Sequence, residues 1–257
     1  MKIGFFDSGI GGLSLVGYAR TKLPDADFIF YADTDNVPYG TKTKEEITAL
    51  SDKAASFLIS KGAEAIVIAC NTATSAAAPY LRNKYNISII GIEPAVKPAV
   101  KIPGHKRILV IATPFTVREK KLHDLVDRVD IEHRVDMLPT PELVKFAEQG
   151  EFDSDRVKIY LEDCFKDLNK EDYCAVVCGC THFIHFKKLF IDIFGPDITV
   201  LDGGKGTVNN LCRHLKQDGY QDTKGKTGKT TYYRSGREVT DKDTLEFYQM
   251  VIKHAAE

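Results

Sequence analysis

The chain has 257 residues, 43% of them hydrophobic, enough for one large or two small domains around a substantial buried core. Its 35 basic and 36 acidic residues nearly cancel, which excludes an overall field that would draw it to nucleic acid or to an anionic membrane. Small-molecule chemistry is therefore the expectation.

The opening residues, MKIGFFDSGIGG, put Asp7 and four glycines where a secretory leader would carry its apolar stretch. No later run approaches the ~18 apolar residues of a membrane span, so the chain reads as cytoplasmic. Short apolar runs at Ile3 to Phe6, Phe28 to Tyr31, Ala65 to Ala69, Ile87 to Ile92, Ile108 to Ile111, Ala175 to Val177 and Ile198 to Leu201 read as buried strands. Amphipathic stretches at Lys44 to Lys61, Thr116 to Val129, Ser154 to Leu168 and Val208 to Lys216 separate them as helices. The alternation predicts an α/β fold whose mainly parallel sheets are covered by helices.

The chain also repeats itself loosely. AIVIACNTAT at 65–74 corresponds to AVVCGCTHF at 175–183, and IGFFDSG at 3–9 to ILVIATPFT at 108–116. Two similar α/β lobes follow, each offering a cysteine to an active site in the cleft between them. The Pro-rich segment 94–103 and Leu201-Asp202-Gly203-Gly204 are natural crossings. They divide the chain into a first lobe of residues 1–97 completed by 208–257, and a second lobe of 98–207. The polar stretch from Asp218 to Lys229 reads as a surface loop, followed by a short strand in TTYYRSG and a final helix. GKT occurs twice there, but the glycine that a phosphate loop requires upstream would fall at Tyr220 or Thr223. No nucleotide site is expected.

Ligands in such folds bind beyond the carboxyl ends of the strands, where this chain carries Asp7-Ser8-Gly9, Cys70-Asn71-Thr72, Thr113 and Cys178-Gly179-Cys180-Thr181-His182. The six cysteines leave the first 69 residues unstapled and do not read as a disulfide framework. Cys70 is followed by a polar helix start, whose free N–H groups and hydroxyls can bind a carboxylate and lower a thiol pKa. Cys180 has a similar setting, with His182 two residues on. Zinc on Cys178, Cys180, His182 and His185 is a rival reading, but the spacing is not that of a knuckle and no second ligand pair is near, so no metal is expected. Cys-His hydrolysis at Cys180 and His182 is another. It leaves Cys70 idle and the repeat unexplained, whereas inverting a carbon by proton transfer needs a base on one face and an acid on the other.

FDSGIGG, YADTDNVPYG, ACNTATSA, GIEPA and GCTHF, in this order and over nearly the whole chain, resemble the glutamate racemases of the aspartate/glutamate racemase superfamily. The resemblance implies cofactor-independent interconversion of L- and D-glutamate, supplying D-glutamate for peptidoglycan, by a homodimer. It implies Cys70 and Cys180 as the two acid/base residues, with Asp7 and His182 assisting them and Glu148 as a further acidic group. It implies substrate contacts at Asp7, Ser8, Tyr39, Gly40, Asn71, Thr72, Thr181 and His182. FDSGIGG lacks the G-x-G-x-x-G order of a nicotinamide site, and no pyridoxal-type lysine motif stands out. Four positions depart from the family pattern: Lys145 stands where a proline is usual, Ile184-His185 where Pro-Leu is common, and Arg237 where an acid usually follows Ser-Gly. A racemase of aspartate or another amino acid in the same superfamily and a non-catalytic binder of dicarboxylic amino acids are the alternatives, since one methylene of pocket depth is invisible in sequence.

Overall fold

The computed structural model describes residues 1–220 and 227–256, so the loop expected at 218–229 lies partly outside the described residues. The chain folds as two compact units, Met1–Glu93 with Gly204–Glu257, and Pro94–Gly203. The crossings thus fall at Glu93/Pro94 and Gly203/Gly204, a little before the 97/98 and 207/208 expected. Ala95, Val96 and Ala99 are buried with Ile108 and Val110 of the second unit.

The first unit opens with β1 (Lys2–Asp7), α1 (Leu13–Lys22), β2 (Asp27–Ala32), α2 (Lys44–Ser60), β3 (Ala65–Ile68), α3 (Asn71–Lys84) and β4 (Ser88–Gly91). Every residue of β3 and all but the first of β1 and β2 are buried, as strands covered on both faces require. A reciprocal capping box starts α2: the Thr43 side chain accepts from Glu46 N–H, and the Glu46 carboxylate accepts from Thr43 N–H.

The second unit runs α4 (Val96–Ala99), β5 (Arg107–Ala112), α5 (Pro114–Arg118), α6 (Lys120–Val129), β6 (Val135–Pro139), α7 (Glu142–Glu148), α8 (Asp155–Cys164), β7 (Tyr173–Cys178), α9 (Lys187–Phe194) and β8 (Thr199–Asp202). The helix expected from Thr116 to Val129 is two helices. Glu119 adopts an extended conformation, φ −72 and ψ 131, which ends α5 and leads into α6. The His123 ring meets the Val117 carbonyl at the break, 2.8 Å away. The chain then returns to the first unit with α10 (Gly204–Gln217), β9 (Thr230–Arg234), β10 (Arg237–Glu238) and α11 (Lys242–His254).

The first sheet has the order β10-β9-β2-β1-β3-β4, parallel except for β10, and the second has the order β6-β5-β7-β8, all parallel. The second order repeats β2-β1-β3-β4 of the first. Under that correspondence β5 matches β1 and β7 matches β3, which is the pairing of the sequence repeat. In each sheet the winding reverses between the two matched strands, β1 and β3 or β5 and β7, and such a switch point opens a crevice at the strands' carboxyl ends. No helix of the described residues is long and apolar enough to cross a membrane.

Candidate active site

In the first unit the switch point carries Asp7, the last residue of β1, with Ser8 directly after it, and Cys70 after β3. Phe6 is in register with Ile68, and Ala69 N–H donates to Phe6 O at 2.7 Å, so the two strand ends leave the sheet side by side. Cys70 is the N-cap of α3, and Ala73 N–H donates to its Sγ at 3.4 Å. The positive end of a 14-residue helix and a direct N–H donor both favour the thiolate. Ser8 Oγ lies 3.6 Å from Cys70 Sγ and 3.4 Å from Asp7 Oδ1, which also accepts from Gly9 N–H at 3.0 Å.

Asp7 is therefore linked to the thiol through the Ser8 hydroxyl. Sequence reasoning treats Ser8 as a substrate contact only, because a link between neighbours in sequence and a third residue 62 positions away has no periodic signature. Asn71 and Thr72, the first two residues of α3, are buried, and among the described residues Asn71 Oδ1 has no hydrogen-bond partner. Tyr39 and Gly40 open a single 3-10 turn and are both buried. The Tyr39 hydroxyl donates to Asp33 Oδ2 at 2.7 Å. Burial pushes that phenol far up, and the charges of Asp33 and Cys70 push it further.

In the second unit the switch point carries Thr113 after β5 and Gly179-Cys180 after β7. Gly179 N–H donates to Ile111 O at 2.7 Å, which extends the sheet by one bond before the chain turns away. Thr113 caps α5, accepting from Thr116 N–H at 3.3 Å. Cys180 Sγ lies 3.5 Å from His182 Nδ1, and His182 Nε2 lies 2.6 Å from Glu148 Oε1, at the end of α7. Burial of His182, only 1% exposed, works against its charge. The contacts with Cys180 and Glu148 outweigh burial and hold its pKa well above the ordinary imidazole value. As an imidazolium the ring can donate to both the sulfur and the carboxylate.

Glu148 thus reaches His182 although Lys145 departs from the family pattern one turn earlier. Lys145 pairs with Glu142 at 2.9 Å on an exposed face. Thr181 is buried beside Cys180. Cys178 is buried too, and burial, with the charges of Asp202 and Cys180, pushes its thiol well up, so it packs as a neutral side chain. His185 stacks on Phe152, with ring centroids 4.7 Å apart and an interplanar angle of 19°. Among the described residues no three His, Cys, Asp or Glu side chains are grouped to hold a metal ion.

The sequence profile of the Asp/Glu/hydantoin racemases matches residues 14–211. A glutamate racemase of Lachnospira eligens is 50% identical over 93% of this chain and 92% of its own length, and one of Halothermothrix orenii is 46% identical over 98% and 99%. The crystal structure of the Francisella tularensis glutamate racemase, in complex with D-glutamate, superimposes with a TM-score of 0.82 at 25% identity, covering 98% of this chain and 93% of that one. With the profile spanning most of the chain and relatives this similar over nearly all of it, the chain belongs to the Asp/Glu/hydantoin racemase family, within its glutamate racemases, and is an amino-acid isomerase.

Proposed function

We propose that the chain interconverts L- and D-glutamate without a cofactor, Cys70 and Cys180 exchanging protons with opposite faces of the α-carbon. The observation that carries this reading is that each thiol has its own set of polar partners: Ser8 and Asp7 beside Cys70, His182 and Glu148 beside Cys180. One thiolate removes the α-proton while the other, as a thiol, delivers one to the opposite face. At Cys70 the Ser8 hydroxyl turns toward the sulfur when it is a thiolate and toward Asp7 when it is a thiol. At Cys180 the imidazolium of His182 holds the thiolate, with Glu148 fixing the ring.

An α-proton is very weakly acidic, and a thiol of pKa ~8.5 is a poor match for it, so the site must stabilise the carbanionic transition state. Donors at Ser8, Asn71, Thr72 and Thr181 bind the α-carboxylate as charge spreads into it, while Tyr39 and Gly40 hold the bound glutamate in ground state and transition state alike. One such preorganised donor is worth about 3 kcal/mol, roughly a hundredfold in rate. The Asn71 carbonyl oxygen, buried and lacking a partner among the described residues, suits the substrate ammonium group. The D-glutamate bound by the Francisella relative supports glutamate as the ligand. The reading extends to a cytoplasmic homodimer whose D-glutamate enters peptidoglycan precursors.

The test is α-hydrogen exchange in heavy water. The intact chain should deliver solvent deuterium into product from either enantiomer. Cys70→Ser and Cys180→Ser should each slow racemisation by about 10²- to 10⁴-fold, each losing deprotonation of the opposite enantiomer while still binding glutamate. Product that keeps the substrate's own α-hydrogen, from either enantiomer, would falsify the two-base mechanism.

A further inference from the structure

Asp33 directly follows β2 and is only 3% exposed, yet the mechanism above does not use it. Its carboxylate accepts from the Tyr39 hydroxyl at 2.7 Å, from Asn36 Nδ2 at 3.1 Å to each oxygen, and from the Ser235 hydroxyl at 3.0 Å. Among the described residues its side-chain partners are these neutral donors and no cation. A buried carboxylate is costly unless its lone pairs are filled, and filling them from several segments makes it a fixed point for all of them. Those segments are the turn after β2, the 3-10 turn at Tyr39, and the β9–β10 turn, 202 residues away in sequence.

The β9–β10 turn is itself clamped to the end of β2. Ser235 and Gly236 have φ of +44 and +87, and Arg234 pairs with Arg237 across them. Positive φ at both central residues is what a tight two-residue hairpin requires. Ser235 N–H donates to Ala32 O at 2.8 Å, and its hydroxyl accepts from Asp35 N–H at 2.9 Å while donating to Asp33. Arg237, the departure from the family pattern, grips Asp35 through both terminal nitrogens at 2.9 and 2.6 Å. At its near end Asp33 N–H donates to Asp7 O at 3.0 Å.

We propose that Asp33, held by Ser235, is the positioning residue for the Tyr39–Gly40 substrate contact: it anchors the Tyr39 hydroxyl so that the first backbone N–H groups of that turn stay aimed at the glutamate carboxylate. The first N–H groups of a helical turn lie outside its own ladder, so their direction depends on what anchors the turn. The proposal rests on the reading that Tyr39 and Gly40 touch substrate. Its consequence is that a C-terminal hairpin sets affinity for glutamate, while the thiols set the rate of proton transfer.

Initial rates of the full chain in both directions, with thermal melts, test this. Ser235→Ala removes one hydroxyl and should raise KM for both enantiomers about three- to tenfold with kcat within twofold, the signature of lost uniform binding. Tyr39→Phe should do the same. The double variant should be no worse than the worse single, because both changes cut one line of contacts. Asp33→Asn should be more severe, and if it does not fold, Ser235→Ala carries the test alone. An unchanged KM in Ser235→Ala that melts like the unmutated chain, or effects that multiply in the double variant, overturn the proposal only. Absence of glutamate turnover by the unmutated chain overturns both it and the function on which it rests.

Discussion

His182 sits where burial alone would strip its charge, and two partners reverse that outcome. Its contacts with Cys180 and Glu148 hold the folded-state pKa above the unfolded value of about 6.5. Protonation of His182 in the native state therefore contributes stability that is fully present below pH ~6.5 and is lost as pH rises through the folded value. Glu148→Gln keeps the shape of the contact but exchanges a charge-assisted hydrogen bond for a neutral one, a difference of about 1 to 2 kcal/mol for a ring this buried. The variant should be less stable than the parent by that amount near pH 6, and the gap should narrow as pH rises through the folded-state value. Urea denaturation as a function of pH checks this, and a gap that never narrows would mean that the ion pair contributes nothing. On the proposed mechanism, in which a charged His182 assists Cys180, racemisation should also fall about 10- to 100-fold.

Strand ends deliver both thiols, and a glycine sits tightly at each. A Cβ on Gly179 would lie 2.8 Å from Ala112 Cβ and 3.0 Å from Ile111 O, and one on Gly12 would lie 2.8 Å from Asp7 Cβ. Ala112 and Ile111 belong to a central strand that cannot yield, so Gly179→Ala should shift the segment carrying Cys180 and His182. The expected cost is about 1 to 3 kcal/mol in stability and more than tenfold in turnover, read from urea denaturation and circular dichroism of racemisation; full activity would show that the segment has slack. Such devices are only half visible in sequence. Buried parallel strands read as continuous apolar runs, so all seven strands expected from such runs are present, as is the short one in TTYYRSG, and the thiols stand out because they follow two of the runs. β6 escapes because it is a half-buried edge strand interrupted by Asp136, which pairs with Arg107 and Tyr173. The split at Glu119 escapes because the apolar positions of α6 continue the rhythm of α5. Glu148 comes from the family resemblance alone, since nothing in LVKFAEQG points at His182. Asp33 is legible only once β9 lies beside β2, a pairing of residues some two hundred positions apart.

The two units share one strand order, and in each a thiol follows the strand at the switch point, so the matched strands end in matched groups. The correspondence is one of position and not of partner, since Cys70 lies beside a hydroxyl and Cys180 beside an imidazole. None of the six cysteines is in a disulfide, with Cys70, Cys178 and Cys180 buried and Cys164, Cys174 and Cys212 half-buried, so one alkylation experiment on the whole chain can ask which of them meet substrate. If Cys70 and Cys180 serve a single α-carbon, glutamate at ~100 times its Kd should slow labelling of both about a hundredfold. Labelling of Cys164, Cys174 and Cys212 should not change. Cys178, buried and with its thiol pushed up, should stay unlabelled throughout. Peptide mass spectrometry against residual racemisation separates the possibilities: a protein that only binds glutamate has no turnover to lose, whereas here activity should disappear in step with labelling of either thiol. Protection of one and not the other would mean that the two sulfurs do not share a substrate, and the reaction would then need a base from elsewhere in the chain.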